Sequence, residues 1–567
     1  PFEKGPVGDP VTITGENEYV DQFGKPYETD KHYETWMVGS SYLAYGGVLS
    51  VIRADDSGLK NSNDNSASIK IKSTDHYKEL GYDENPLTTV TVAAKNPGTW
   101  SNGLRVAIID AAADQTLSGL SGTGFNSSAV GMGVTQLVPT GTTIAGAAGT
   151  STIDGIFKGI ITAKGTSSID VKFLSHVSAA GTETAKEQNS VYKFSNTGFI
   201  TVKNNSDVGV GSATYTGAAD WFDNQTFVTT TATKGGTATE TTVKWNTIAD
   251  KPGTSEYAAA RGGRFDEVHV VVIDSKGTVT GNAGTILEKH LSLSKAKDAE
   301  FSVGSPSYWR KYLYTNSTNI FGLSGNIIGL TTTGYTSAFT LESEGGWDQD
   351  AEGVIFNSSG KQNLSLAGGL NYGGKAGITS TGALDSGLDD LIGGYGQFEN
   401  DTTVDVDFLL MGSGKYGQDK TRALAEKLIA VAEVRKDAVA FISPHRGAMI
   451  TDTSDDTAST ILSDSAITDN VVDFYGTITS STFAVFDSGY KYMYDRFNNT
   501  FRYVPLNGDI AGACARTDIN DFPWFSPAGT DRGAILNAVK LPYNPTRLQR
   551  DKLYSNRINP VIFSPGA

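Results

Sequence analysis

The chain has 567 residues, of which 46 are Lys or Arg and 62 are Asp or Glu, so its formal net charge is −16 at pH 7. Phosphate groups repel such an acidic surface, which argues against direct binding to nucleic acid. No apolar run reaches the 18 residues of a membrane-spanning helix, and a single cysteine excludes a disulfide within one chain.

The length exceeds what one hydrophobic core supports and predicts several domains. The 65 glycines, together with many Ser, Thr and Asn residues, favour strands and turns over long helices. We predict an α+β or α/β multidomain protein, in which a β-rich domain interrupts a discontinuous α/β body. The predicted boundaries are 1–110, 111–243, 244–362, 363–480 and 481–567.

The first part of the body begins with a short strand over residues 11–14 and a helical turn over 17–23. Apolar spacing predicts a helix over 29–45 whose buried face carries Tyr33, Trp36, Met37, Ser40 and Ala44. A buried strand over 48–53 follows, which would make an α/β start. Two further strands, 88–94 and 104–109, flank a turn rich in Pro, Gly and Asn.

Residues 111–243 differ in character, because charges are sparse and short alternating apolar runs recur between Gly, Ser and Thr. This pattern predicts a β-rich domain, a sandwich or a barrel. Disorder is the alternative, but a set of aromatic residues indicates a small core: Phe173, Tyr192, Phe194, Trp221 and Phe222.

The body continues over 244–362 as a mixed α/β region. A strand is predicted over 267–273, a second strand or loop leads to 285–294, and a short amphipathic helix covers 307–313. Residues 322–362 are polar and glycine-rich.

Residues 363–480 are predicted as an α/β domain. The α/β pattern is predicted to begin again at Leu364–Leu370, and a helix is predicted over 385–392. Alternation of apolar residues over Val404–Leu410 predicts a strand. Asp419 is placed to cap a helix with a buried stripe of Leu424, Leu428, Val431 and Ala432, and a strand over 438–442 follows. A strand, a helix and a strand of these lengths predict a right-handed parallel crossover.

The last region, 481–567, begins with two aromatic strands around the turn-prone Asn498-Asn499. Asp509 is placed to cap a helix of small residues, which would let another backbone approach closely. An apolar turn follows at 524–529, and Asn544-Pro545 is predicted to start a charged helix as N-cap and first helical residue.

This last region also resembles a known family, the tail sheath proteins of contractile-tailed bacteriophages. Several short words occur in the same order and at similar spacing: Tyr490-Lys491-Tyr492, Asp509-Ile510-Ala511-Gly512, Ala515-Arg516-Thr517-Asp518, Ser526-Pro527-Ala528-Gly529, Arg532-Gly533, Gln549-Arg550-Asp551-Lys552-Leu553-Tyr554 and Ile558-Asn559-Pro560. The passages around 48–53 and 96–109 look similar too, whereas the resemblance fades over 111–243.

The resemblance implies a structural polymer and not an enzyme. A tail sheath subunit forms a helical homopolymer around an inner tail tube, and the sheath contracts to drive the tube through a bacterial envelope. The implied partners are identical subunits, the tube protein, and baseplate and tail terminator proteins, with no nucleic acid and no membrane insertion. The implied location is the virion tail, and the host cytoplasm during assembly. The β-rich domain is expected on the outside of the tail.

The best candidate for an enzymatic feature is the loop 412–421, because it lies between a predicted strand and a helix N-terminus, where phosphates bind. A P-loop needs Lys directly after the second glycine of its frame, but Gln418 occupies that position, and Asp419 would repel a phosphate. We therefore predict no nucleotide site there.

The remaining candidates favour structural roles. The six histidines, His32, His76, His176, His269, His290 and His445, lack the spacing of a helical metal pair. His445 follows Ser443-Pro444, but no G-x-S-x-G elbow is present. The carboxylate pairs Asp389-Asp390 and Asp455-Asp456 are expected to be solvated, and Cys514 to be a buried small residue. No catalytic, cofactor-binding or metal-ligating residue, and no cofactor, is predicted.

Two alternatives remain from the sequence: a sheath from a related contractile injection machine, and, from a different class, a β-rich surface adhesin. Both ends of the sequence look cut. We therefore expect this chain by itself to be a monomeric core, since side contacts weak enough to slide during contraction would not hold a polymer alone.

Overall fold

The structure is a computed structural model, and it describes all residues except 145–150, 186–191, 205, 235–236, 326–343, 373–383, 403, 453–458 and 565–567. The polar passage predicted over 322–362 and the pair Asp455-Asp456 therefore lie partly or wholly outside the described residues.

The strands follow the chain in this order: β1 Pro10–Ile13, β2 Leu49–Ile52, β3 Val92–Ala94, β4 Leu104–Asp110, β5 Gln115–Ser118, β6 Gly133–Ile144, β7 Ser151–Lys164, β8 Ser168–Val177, β9 Glu183–Ala185, β10 Gly198–Lys203, β11 Gly209–Tyr215, β12 Gly217–Asp220, β13 Thr226–Lys234, β14 Thr237–Lys244, β15 Glu267–Asp274, β16 Thr285–Ser294, β17 Glu300–Ser302, β18 Ser305–Pro306, β19 Ile320–Gly322, β20 Glu344–Gly345, β21 Ile355–Phe356, β22 Lys361–Ser365, β23 Phe408–Leu410, β24 Val439–Ile442, β25 Ile450–Asp452, β26 Ser459–Ile461, β27 Ala484–Asp487, β28 Tyr490–Asp495, β29 Thr500–Pro505 and β30 Ile558–Asn559.

The α-helices are α1 Glu16–Phe23, α2 His32–Leu43, α3 Thr74–Glu79, α4 Thr123–Ser127, α5 Glu256–Ala259, α6 Trp309–Asn316, α7 Leu388–Gly396, α8 Gln418–Arg435, α9 Asp464–Gly476, α10 Asn507–Asn520, α11 Gly529–Arg532 and α12 Arg547–Ser555. The mixed content of helices and sheets confirms the predicted α+β character.

A parallel sheet of order β23-β24-β27-β30 organises the C-terminal part of the chain. Alternate strand residues point to opposite faces. One face packs against apolar residues of α8, α9 and α12, and the other face packs against α2 and α10. We call this three-layered assembly, together with β1, β2, α1 and α7, the parallel-sheet unit. The predicted parallel crossover from β23 through α8 to β24 is confirmed.

The N-terminal elements belong to this unit even though they lie more than 400 residues away in the sequence. Trp36 and Met37 of α2 share a core with Met493 of β28 and Val504 of β29. The small residues of α10 make this possible, because a Cβ on Gly508 would lie 2.3 Å from the backbone carbonyl oxygen of Val38 in α2. The predicted close approach of another backbone is therefore confirmed.

A second sheet, of order β16-β15-β4-β22, is antiparallel throughout and forms the middle of the chain. One face packs against Trp309 and Leu313 of α6. The other face packs against Trp221, Phe222, Phe227 and Trp245. Trp221 and Phe222 were expected in the core of the β-rich domain, so that prediction was wrong for these two residues.

The chain between β4 and this aromatic set forms an eight-stranded sheet of order β11-β10-β6-β7-β8-β5-β12, with β9 beside β8. Ser121 exchanges two backbone hydrogen bonds with Thr214 on β11, of 3.0 and 2.9 Å. This bridge brings the two ends of the sheet together, so its strands surround one core that includes Phe173 and Phe194. The Trp221 amide donates to the Asp114 carbonyl at 3.0 Å, which places entry and exit side by side.

Several local predictions were wrong, and tertiary contacts explain why. The strand expected over Val404–Leu410 is limited to β23, because the Arg435 guanidinium binds the Val404 carbonyl at 2.9 Å, where a strand partner would bind. The strands predicted over 48–53 and after residue 363 were expected to belong to α/β units with parallel strands. The first pairs antiparallel with β1 and the second pairs antiparallel with β4, so neither forms such a unit.

The helix starts also differ from the predicted caps. Gly417, with φ of 82°, precedes α8 in place of Asp419, and Thr546 caps α12 through reciprocal bonds with Gln549. Helix α2 is buried on almost all sides, and Ala44, which was expected on its buried face, is exposed. The reason is that α2 lies between other elements of the parallel-sheet unit instead of on its surface.

Candidate functional site

The segment from Tyr490 to Phe563, on which the resemblance depends, forms part of the parallel-sheet unit. β28 and β29 pair antiparallel as predicted, with Tyr492 opposite Tyr503. Tyr490, Lys491 and Met493 are buried, whereas Tyr494 is exposed. Burial thus alternates along residues 491–495, and the side of β28 that carries Lys491, Met493 and Asp495 faces inward.

Lys491 of β28 and Asp509 of α10 form a fully buried ion pair. The Lys491 ammonium donates to Asp509 Oδ1 at 2.8 Å, and side-chain exposures are 1% and 0%. The Tyr45 hydroxyl donates to the same oxygen at 3.0 Å and accepts from the Leu536 amide at 2.8 Å. Burial raises the pKa of Asp509, while the Lys491 ammonium opposes that shift. Asp509 was predicted as a helix cap, so this assignment was wrong.

A second buried network connects α2 to the loop after β24. Arg446 donates to Glu34 at 2.8 Å and makes two bonds to the Asp452 carboxylate, at 2.9 and 3.0 Å. Burial alone would raise the pKa of Asp452, but the hydrogen bonds from Arg446 and Ser459 prevail and lower it to about 2. These ion pairs fix the N-terminal helix to the C-terminal part of the chain.

Sequence reasoning missed both networks. Their partners are 18 and 412 residues apart, and no spacing rule applies to such pairs. The only available signal was that Lys491 shares its side of β28 with the apolar Met493.

The loop 412–421 is packed against its own chain. Ser413 donates to Glu34 at 2.6 Å, and the Lys415 ammonium pairs with Asp385 at 3.4 Å and donates to the Asp30 carbonyl. Burial lowers the pKa of Lys415. The polar groups that a phosphate would need are thus engaged in tertiary contacts.

The other candidates have structural surroundings. His445 packs on Phe474 with ring centroids 5.3 Å apart, and burial lowers its pKa. Burial raises the pKa of the half-buried Cys514 to about 11, which disfavours a reactive thiolate. Asp390 caps α7 by accepting from the Gly387 amide at 2.9 Å, and its neighbour Asp389 is exposed.

Within the described ranges, no group of three or more His, Cys, Asp or Glu side chains is arranged to hold a metal ion. The described helices include none with the length and apolar character needed to cross a membrane.

Exposed apolar side chains concentrate in the C-terminal segment. Of the 21 large hydrophobic residues that are exposed in the described part of the chain, 11 lie between Tyr494 and Phe563. Leu548 and Tyr554 on α12 are 80% and 79% exposed. The exposed rings of Phe522, Trp524 and Phe525 also contact one another, with centroids 4.8 Å apart for Phe522 and Trp524 and 5.6 Å apart for Phe522 and Phe525. Clustered exposed apolar side chains are a candidate surface for contacts with other molecules.

Comparison with known proteins confirms the predicted resemblance to tail sheath proteins. The tail sheath protein of Enterobacteria phage T4 is 35% identical over 198 residues, which are 33% of this chain and 29% of that protein. The tail sheath protein of Vibrio phage KVP40 is 31% identical over 207 residues, 35% of this chain and 29% of the relative.

A third relative, the tail sheath protein of Salmonella phage ViI, is 26% identical over 187 residues, which are 32% of this chain and 28% of that protein. The chain thus spans less than a third of the length of the curated relatives it matches. No protein-family model matches the chain.

Proposed function

We propose that this chain is a structural subunit of a contractile phage tail sheath, which polymerises around an inner tail tube and contracts to drive the tube through the bacterial envelope. The observation that carries the proposal is the similarity to three tail sheath proteins from different phages. The work would come from many identical interfaces, each contributing a small free-energy gain, so no cofactor is required.

Such a machine needs subunits that move as rigid bodies. The three layers of the parallel-sheet unit and its buried ion pairs support this requirement, since a buried charge that loses its partner is costly. The proposed partners are identical subunits, the tube protein, and baseplate and terminator proteins. The proposed location is the virion tail, after assembly in the host cytoplasm.

We further infer that the eight-stranded sheet is an inserted domain on the outside of the tail. Its entry and exit at Asp114 and Trp221 are hydrogen-bonded to each other, and its core is separate from the core of the middle sheet. These observations support an insertion over residues 115–220, which is shorter than the range 111–243 indicated by composition.

Immunogold electron microscopy tests the function directly. Antibodies raised against this chain should label phage particles along the whole tail shaft, and inactivation of its gene should give particles with bare tubes. Labelling confined to tail fibres or capsid would refute the proposal and favour a surface adhesin. Contractile tails that persist without the gene product would refute it as well.

A further inference from the structure

The two edges of the parallel sheet carry opposite charge. At the β30 edge, residues 547–557 contain Arg547, Arg550, Lys552 and Arg557 against Asp551 alone, a net charge of +3 within a chain of net charge −16. These residues form α12 and the turn that leads into β30. A basic helix on so acidic a protein indicates a surface that faces negative charge.

The opposite edge, at β23, is acidic. Residues 388–407 form α7 and the segment that enters β23, and they contain six acidic residues and no Lys or Arg: Asp389, Asp390, Glu399, Asp401, Asp405 and Asp407. All of these except Asp390 are exposed. We call this surface the acidic edge, and we call α12 with Arg557 the basic edge.

Some charges of the two edges are paired within the chain, and four are not. Lys552 pairs with Asp469 and Glu399 pairs with Lys427. Within the described part of the chain, by contrast, Arg547 and Arg550 have no carboxylate within 4 Å, and Asp405 and Asp407 have no basic group within that distance. These four side chains are therefore available to charges on a partner molecule.

Apolar side chains accompany the charges. Leu548 and Tyr554 are exposed on α12, and Val434 is 65% exposed on α8, which contacts α7 beside the acidic edge. A tyrosine with cationic neighbours is typical of the residues that dominate binding energy at protein interfaces. The basic edge thus combines exposed apolar side chains with positive charge, and an exposed apolar side chain also lies on the helix that contacts α7.

We propose that copies of this chain associate head to tail, with the basic edge of one copy docked against the acidic edge of the next. The occupant of each surface is a second copy, because the complementary surface lies at the opposite end of the same four-stranded sheet. A contact between two different surfaces of one molecule does not close on itself as a two-fold dimer and generates rings or helical polymers. This inference rests on the proposed sheath function, and it names the surfaces that subunits use.

Two charge-reversal variants test the contact. One variant, Arg547→Glu/Arg550→Glu, changes the net charge of the basic edge from +3 to −1, and the other, Asp405→Lys/Asp407→Lys, changes that of the acidic edge from −6 to −2. These residues lie on the surface, so both variants should keep the parental melting temperature. Sedimentation velocity at high protein concentration and low salt reports association, because charge-dependent contacts are strongest when screening is weak.

The edge contact is too weak by itself to hold a polymer, in line with the monomeric core expected from the sequence, but low salt and high protein concentration should make it measurable. Under those conditions the sedimentation coefficient of the parent chain should rise with concentration, and it should not rise in 0.5 M salt, about where the Debye length falls to a few ångströms. Each variant alone should associate at least about tenfold more weakly, as expected for a loss of roughly 1.4 kcal/mol or more. An equimolar mixture of the two variants should form dimers through one parental contact, because the unchanged acidic edge of Arg547→Glu/Arg550→Glu then meets the unchanged basic edge of Asp405→Lys/Asp407→Lys.

The proposal is overturned if either variant associates as the parent does, if the mixture behaves as the sum of its components, or if the parent shows no association at low salt. These outcomes are separate from the test of function. If immunogold labels the tail shaft but the parent chain does not associate in sedimentation, only the head-to-tail contact is refuted. If the chain associates through its edges but antibodies do not label the tail, only the sheath function is refuted.

Discussion

Replacing Lys491 by Met removes one member of the buried Lys491–Asp509 pair and leaves the Asp509 carboxylate with the Tyr45 hydroxyl as its remaining donor. Both side chains are buried, so water cannot substitute for the lost ammonium. Breaking a buried ion pair in this way costs about 3–5 kcal/mol. We expect a loss of that size in the unfolding transition that includes α10.

The loss should depend on pH in a defined direction. Burial already raises the pKa of Asp509 above its ordinary value of 3.8, and the variant lacks the ammonium that opposes this shift. A carboxyl whose folded-state pKa is raised contributes stability that is fully present below its unfolded pKa and lost as the pH rises through the folded pKa. The cost of Lys491→Met should therefore be smallest near pH 4 and largest above neutral pH.

Urea unfolding monitored by hydrogen exchange of peptides from α10 measures this effect across the pH range. The double variant Lys491→Met/Asp509→Asn removes both charges and should recover most of the stability with no such pH dependence. Lys552→Met, which breaks an exposed pair with Asp469, should change stability by less than about 1 kcal/mol. A Lys491→Met protein as stable as the parent at pH 8 would refute the reasoning.

Three further predictions concern other parts of the chain. Leu428→Asp should cost several kcal/mol of stability and lower the melting temperature, because Leu428 is fully buried between α8 and the sheet. The control Val434→Asp, on the exposed side of α8, should leave the melting temperature unchanged. Equal melting temperatures for the parent and Leu428→Asp would contradict this prediction. Replacing residues 115–220 by two glycines should leave the melting of the remaining chain and its incorporation into tails intact; loss of tail assembly would contradict an outer, independent domain. Burial raises the pKa of Asp487 to about 8, so the free energy of unfolding of the parent should fall as the pH rises towards 9. Asp487→Asn should remove that pH dependence. If urea unfolding shows the same pH dependence for both proteins, Asp487 does not titrate in this range.

The sequence by itself determined those features that depend on neighbouring residues. The apolar stripe of α8, the apolar strand β15, the alternating strand β28 and the small residues of α10 all followed from local periodicity and composition. The short sequence motifs at 490–560 indicated the family resemblance, because several of them occur in the same order and at similar spacing as in tail sheath proteins.

Only the tertiary structure decided which distant segments share a core and where the charged side chains lie. Helix α2 packs with α10, Glu34 binds Arg446, and the Arg435 guanidinium limits β23 to three residues. Lys491 and Asp509 illustrate the physical reason. Each of them alone fits an exposed strand position or a helix cap, and only the pair, shielded from water by the layers around it, makes burial of both charges favourable.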